Sequence, residues 1–176
     1  MLIAQQRSAL SGFTYDLAAA DGTVIGELCF PDWAQARNAR LKNPAPGLLR
    51  SSIDLRLSGT AYRIEFEYTR RGWTNDIRFE LMLDGERLAS ADAVVPKGGF
   101  RRATLRITEP FRGELVRRSG FFKTRFELQR CGQALGLVHE PDAFTTRRRL
   151  CAELAPDIRP ELQAFLLFLV INLAYG

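Results

Sequence analysis

Residues 160–176 read PELQAFLLFLVINLAYG, and this stretch decides the fold. Proline suits the first position of a helix, where the backbone needs no amide proton, and Glu161 lies favourably in the first turn. Residues 164–171 then run without a polar side chain. A helix that is apolar on every face lies either in the centre of a protein core or in a membrane.

Length distinguishes these two environments. Residues 162–175 would form a helix of about 21 Å, whereas a bilayer core of about 30 Å needs about twenty residues. The amides of Gln163 and Asn172 also interrupt the stretch. We therefore expect a buried helix over 160–174 and no transmembrane span, with a short tail anchor as the alternative.

Three hairpins are predicted upstream, and each opens with an aromatic residue, one further residue and Leu. A turn that contains Gly follows, and then a second apolar strand. Asp-Gly between apolar strands favours a tight hairpin, because the turn needs positive φ. The three copies are 15–17 with Gly22, 79–81 with Gly85, and 126–128 with Gly132.

The first and third copies match over a longer stretch. Gly26 and the pair Pro31-Asp32 recur 110 residues later as Gly136 and the pair Pro141-Asp142. This constant offset predicts an internal duplication, in which two related halves close one core.

Other segments alternate apolar and polar residues, as in 53–57, 63–68 and 104–107. Period two with one apolar face is typical of a strand that is covered on one side only. A short helix over 32–41 and a loop over 43–47 complete the pattern. Many half-buried strands indicate an antiparallel barrel or sandwich, and a helix apolar on every face needs strands around it, which favours a closed β-barrel.

This combination resembles the tubby-like C-terminal domain superfamily, which also holds the LURP-one-related and phospholipid-scramblase-like proteins. The aromatic-x-Leu hairpins and the closing PELQAFLLFL helix carry the resemblance, which covers roughly residues 10–176. It implies a mainly β protein, an antiparallel barrel that encloses an apolar C-terminal helix. It also implies binding of phosphoinositides or acidic phospholipid headgroups, but no site residue carries over, and this chain is shorter than the tubby domain.

Composition narrows the class of protein. The 176 residues suit a single domain over 1–176, and 46% hydrophobic with 26% charged residues is ordinary globular composition. Three cysteines without a C-x-x-C pair favour reduced intracellular thiols over disulfides or a zinc site. The first residues show no signal-peptide pattern. We expect a cytoplasmic protein, peripheral at the membrane if it binds lipid.

Support for catalysis is weak. His139 is the only histidine, and the chain has neither a P-loop nor a Gly-x-Gly-x-x-Gly motif after a strand. A histidine-dependent triad would have to use His139, which we expect to be a surface or structural residue at a strand end. We predict no catalytic residue, no metal site and no cofactor. An enzyme remains an alternative, because barrels host many activities.

Positive charge is concentrated in one third of the chain. Residues 97–150 hold thirteen basic and five acidic residues, within a chain of net charge +5. Most of the basic residues are arginines, whose guanidinium grips phosphate or carboxylate in two bonds, although a GC-rich genome also produces an arginine-rich chain. The candidate anion-binding residues are Arg101, Arg102, Arg117, Arg118, Lys123, Arg125, Arg147, Arg148 and Arg149.

Two functions compete for this basic segment. The first is a non-enzymatic module that binds an anionic membrane surface or another phosphate-bearing ligand. The second, ranked lower, is nucleic-acid binding by 97–150, with Phe100, Phe111, Phe121 and Phe122 as stacking residues. Those phenylalanines equally suit a core, and no RNP, KH or zinc-finger pattern is present.

The alternative to both functions is a solvated surface with scattered arginines and no binding role. Adjacent residues of a strand point to opposite faces, so one member of a pair such as Arg117-Arg118 is expected to turn away.

Overall fold

The fold follows from how the one-sided strands and the apolar helix bury their surfaces. The structure, a computed structural model, describes residues 1–8, 14–29, 49–71, 74–95, 104–118, 124–141 and 147–175. This described part forms twelve strands and one helix. The elements are β1 (Leu2–Gln6), β2 (Thr14–Ala19), β3 (Val24–Cys29), β4 (Leu49–Leu57), β5 (Thr60–Arg71), β6 (Thr74–Leu83), β7 (Glu86–Val95), β8 (Thr104–Glu109), β9 (Gly113–Arg117), β10 (Arg125–Arg130), β11 (Gln133–His139), β12 (Arg149–Leu154) and α1 (Pro160–Tyr175).

The strands form one closed antiparallel barrel, which confirms the predicted fold class. Each strand pairs with the next along the chain, and β1 pairs with both β2 and β12 to close the ring. Because β1 begins at Leu2, the barrel also includes residues before the expected start near residue 10. The residues of this strand show no period-two pattern, because Leu2, Ile3 and Ala4 follow one another and all three are buried.

The helix α1 lies in the hydrophobic core, as its apolar surface predicted. Residues 162–173 are all buried, and most of their side chains have no exposed surface. The Phe168 ring meets the Phe79 ring edge to face, with centroids 5.6 Å apart, and stacks on Phe165 at 6.4 Å. In the part of the chain that the structure describes, no helix has the length and hydropathy needed to cross a membrane.

The three predicted hairpins are present as β2–β3, β6–β7 and β10–β11. In each of them the strand register shifts directly after the Leu of the repeated pattern, at Leu17, Leu81 and Leu128. The hairpins recur every four strands around the barrel, with two strands between one hairpin and the next. This spacing is that of a threefold repeat, a finer division than the two halves expected from the first and third copies.

The glycines Gly26 and Gly136 occupy equivalent places in the first and third hairpins. A Cβ atom on Gly26 would lie 2.1 Å from the Arg56 carbonyl oxygen, and one on Gly136 would lie 2.2 Å from the Glu153 carbonyl oxygen. Each glycine therefore permits a neighbouring strand to approach more closely than any side chain allows. This shared constraint explains why the two copies keep a glycine here.

Inward and outward residues alternate as predicted. In β4, for example, Ile53, Leu55 and Leu57 are buried and the residues between them are exposed. The helix expected over 32–41 and the loop expected over 43–47 lie outside the described residues.

The barrel has two different ends. We call the end that carries the tight turns 20–23, 58–59, 84–85, 110–112 and 131–132 the turn rim. The opposite end, where the other connections join the strands, is the loop rim. The helix α1 follows β12 and therefore begins at the turn rim.

Candidate anion-binding surface

The structure brings together the six predicted basic residues that it describes. Arg117 and Arg118 end β9, Arg125 begins β10, and Arg147, Arg148 and Arg149 lead into β12. All three positions are at the loop rim, on a run of four neighbouring strands, β9 to β12. Arg101, Arg102 and Lys123 lie outside the described residues.

The pair Arg117-Arg118 divides between the two faces of the wall, as alternation along a strand requires. Arg117 is opposite Phe126, which faces the core, and its guanidinium lies 5.8 Å from the centre of the Phe126 ring. Arg118 is exposed, with its Nε 3.5 Å from a Glu127 carboxylate oxygen. Adjacent arginines in the sequence therefore do not form one binding surface automatically.

Arg125 and Arg149 differ from the other arginines of this rim. Within the described part of the chain, neither side chain has a carboxylate within ion-pair distance. Arg125 is exposed at the start of β10, and Arg149 is half-buried at the start of β12, opposite Gln5. Two strands apart on the same rim, these guanidinium groups form no ion pair within the described residues, although the charge of Arg125 helps to lower the pKa of Glu127.

A polar cluster fills the inner side of the same rim. Arg148 accepts a hydrogen bond from the Gln6 amide at 2.8 Å and donates its own amide to the Gln6 side chain. Burial raises the pKa of the nearby Tyr15 phenol to about 12; the charge of Arg148 opposes this shift, and that of Glu140 adds to it. The phenol is therefore neutral at physiological pH and can act as a hydrogen-bond donor.

Elsewhere on the outer wall, charges are matched across the strands. Glu67, Arg78, Asp92, Arg106 and Glu114 face one another in sequence across β5 to β9. The Arg78–Asp92 distance is 3.1 Å and the Arg106–Glu114 distance is 3.3 Å. A surface groove of about 550 Å³ follows most of this row. Acid and base alternate here, and the groove lining holds three carboxylates and two arginines, so the groove presents no excess of positive charge.

Two further arginines, Arg7 and Arg87, each neutralise a pair of carboxylates from different strands. The Arg7 guanidinium binds Asp16 and, at 3.0 Å, Glu27, which oppose each other on β2 and β3. Arg87 binds Glu80 at 2.9 Å and Glu109 at 2.7 Å, and these contacts raise its pKa. Neither cluster could be predicted from the sequence, because both depend on the strand register.

Groups for nucleophilic or metal chemistry are dispersed. His139 ends β11, as predicted, with its Nε2 3.4 Å from a Glu153 carboxylate oxygen. Cys29 is half-buried, Cys131 exposed and Cys151 buried, each as a free thiol. The described ranges contain no cluster of three or more His, Cys, Asp or Glu side chains placed to hold a metal ion.

Of the four phenylalanines considered for base stacking, the structure describes Phe111 alone. Its ring packs against the core and lies under the Arg130 guanidinium, 5.7 Å from centre to Cζ. Phe100, Phe121 and Phe122 lie outside the described residues. Phe111 therefore offers at most part of its ring to a base.

Comparison with known proteins adds no relative. No protein-family model matches the chain, and neither curated proteins nor solved structures give a significant match.

Proposed function

We propose that this protein is a non-enzymatic binding module for anionic ligands, namely phosphoinositides or acidic phospholipid headgroups, and that it is a member of the tubby-like superfamily. The observation that carries the function is the pair Arg125 and Arg149, which share the loop rim and form no close ion pair with a described carboxylate. The closed barrel around an apolar helix supports the family membership.

Arginine is well suited to such a ligand. Its planar guanidinium presents parallel donors to two phosphate oxygens, and a charged hydrogen bond of this kind is roughly twice as strong as a neutral one. An arginine that is already bound to a carboxylate must give up that bond before it can hold phosphate. Arg118 lies 3.5 Å from a Glu127 carboxylate oxygen. Arg125 and Arg149 have no such bond to give up within the described residues, although Arg125 feels the charge of Glu127 at longer range.

The proposal places the protein in the cytoplasm, where it would bind a membrane surface peripherally. A basic residue near an anionic membrane contributes about 1 kcal/mol to binding. Removing two of them should therefore lower the partition coefficient by about 30-fold. A loss of this size can be measured, and it is the loss expected from the two chosen arginines alone.

The test is vesicle sedimentation with the double variant R125A/R149A. The control is R63A/R112A, which removes the same charge from two exposed arginines, one on β5 and one at the turn rim. We expect the first variant to lose about 30-fold in binding to phosphatidylserine or phosphoinositide vesicles, and the control to stay within about threefold of the unmodified protein.

Two results would contradict the proposal. One is equal loss in the two double variants, which would mean that net charge alone drives binding. The other is binding of single-stranded nucleic acid in a shift assay without binding of vesicles, which would favour the second function of the basic segment. Both assays need a salt series, because screening weakens each kind of electrostatic binding.

A further inference from the structure

The two ends of the barrel differ in the sign of the charge that they expose. Three carboxylates, those of Asp21, Asp84 and Asp157, lie exposed on the turns at the turn rim. Among the described arginines near that rim, Arg87 is held by two glutamates and Arg159 lies 3.0 Å from Glu161. Arg112 and Arg130 are exposed there, but the three carboxylates outnumber them. At the loop rim of β9 to β12 the structure describes six arginines, namely Arg117, Arg118, Arg125, Arg147, Arg148 and Arg149.

The strands that carry this charge are also the most basic part of the wall. The described residues of 113–118, 124–141 and 147–154, which are β9 to β12 with their flanks, contain seven arginines and four glutamates. The row from Glu67 to Glu114 across β5 to β9 instead holds three carboxylates and two arginines, which form ion pairs across the strands. Charge complementarity therefore favours an anionic partner on strands β9 to β12, at their loop-rim end.

The two rims are far enough apart for a bilayer to respond to the charge of one rim and not of the other. Arg125 and Cys131 lie at opposite ends of β10, six residues apart, which is about 20 Å in an extended strand. The potential of a charged surface falls off over about 8 Å at physiological ionic strength. A bilayer in contact with one rim is therefore attracted or repelled by the charges of that rim, and the charges of the other rim are screened from it.

We propose that the partner surface is the outer wall of β9 to β12 at the loop rim, and that the protein lies on an anionic bilayer with this rim towards the lipid and the turn rim in the water. This inference rests on the proposed function and adds the orientation of the bound protein. It commits to the charged bilayer surface and not to a soluble phosphate.

The native cysteines provide the probe for the experiment. Cys131 is exposed in the β10–β11 turn, at the turn rim, while Cys151 is buried. In a C29S background, a fluorophore on Cys131 reports on the turn rim. In a C29S/C131S background, T104C places the same fluorophore on an exposed position at the start of β8, at the loop rim.

Each labelled protein is mixed with vesicles of phosphatidylcholine and phosphatidylserine whose headgroups carry a short-range spin-label quencher. Sedimentation of the same samples measures binding. We expect at least threefold stronger quenching at position 104 than at position 131, and no quenching of either fluorophore on vesicles of phosphatidylcholine alone.

The outcomes separate the two proposals. Vesicle binding with equal quenching, or with stronger quenching at Cys131, would overturn the orientation and leave the binding function intact. Absence of vesicle binding in both labelled proteins and in the unlabelled chain would overturn both. Release of the bound protein by inositol phosphate at low concentration would also overturn the orientation proposal, because a soluble headgroup would then be the preferred ligand.

Discussion

Truncating Phe168 tests whether the helix α1 is enclosed by the barrel. The side chain has no exposed surface, and its ring contacts Phe79 on the β6 wall and Phe165 one turn earlier in the helix. Replacing a buried phenylalanine by alanine costs about 3–5 kcal/mol, and the loss grows with the volume of the cavity that remains. Each aromatic pair adds about 0.5–1.5 kcal/mol beyond the buried area.

The expected loss for Phe168→Ala lies at the upper end of that range, about 5 kcal/mol. A closed ring of paired strands cannot collapse onto the cavity without breaking hydrogen bonds between strands, so little of the cost is recovered. Proteins typically have a free energy of unfolding of about 5–15 kcal/mol, so the variant should fold with a much lower stability. With a slope of about 2 kcal/mol per molar urea, the midpoint should fall by about 2.5 M.

The assay is urea denaturation followed by far-ultraviolet circular dichroism. Val24→Ala is the control, because Val24 is 62% exposed and its truncation should change the stability by less than about 0.5 kcal/mol. A loss below about 1 kcal/mol at Phe168, indistinguishable from the control, would refute the placement of α1 in the core.

Two further predictions concern the backbone and the pH dependence of stability. Gly26→Ala should lower the free energy of unfolding by more than about 4 kcal/mol or prevent folding, because its Cβ would lie 2.1 Å from a backbone oxygen. In the same denaturation assay, Gly22→Ala should cost only about 1 kcal/mol, because Gly22 has positive φ but open space around it. Equal losses in the two variants would contradict the steric explanation. The Tyr15 phenol holds its proton more tightly in the folded protein, with a pKa of about 12 against an ordinary value of about 10. Its contribution to the free energy of unfolding, up to about 3 kcal/mol, is therefore complete below pH 10 and is lost as the pH rises towards 12. Tyr15→Phe should therefore remove part of the alkaline decline in stability, and an unchanged slope between pH 10 and 12 would show that the phenol is not buried.

Periodicity was sufficient to predict the architecture. The apolar helix needed no tertiary information, because consecutive residues of a helix point about 100° apart, so the apolar side chains of 165–168 cover every side, as no surface helix does. The hairpins were equally visible, since Gly22, Gly85 and Gly132 adopt the positive φ that tight turns require. Strand β1 escaped prediction because its residues do not alternate: Leu2, Ile3 and Ala4 follow one another and all three are buried.

The candidate surface was predictable only in part. The dense basic segment indicated where to look, and alternation correctly separated Arg117 from Arg118. Ion pairing did not follow from the sequence, because it depends on which strands meet and in which register. Arg87 and its partners Glu80 and Glu109 come from three different strands. Arg125 acts on the charge of Glu127 in its own strand, but no described carboxylate comes within ion-pair distance of it.

The interior and the surface of this barrel constrain each other. An eight-stranded barrel is filled by its own side chains, whereas porins with sixteen or more strands leave an open channel. Twelve strands lie between these cases, and here α1 occupies the space with side chains from Leu162 to Leu173. Because the helix takes the place that a ligand could have occupied, recognition is left to the outer wall and the rims. Cross-strand pairing neutralises much of the described wall, whereas six described arginines lie at the loop rim of β9 to β12, where we propose that the anionic ligand binds.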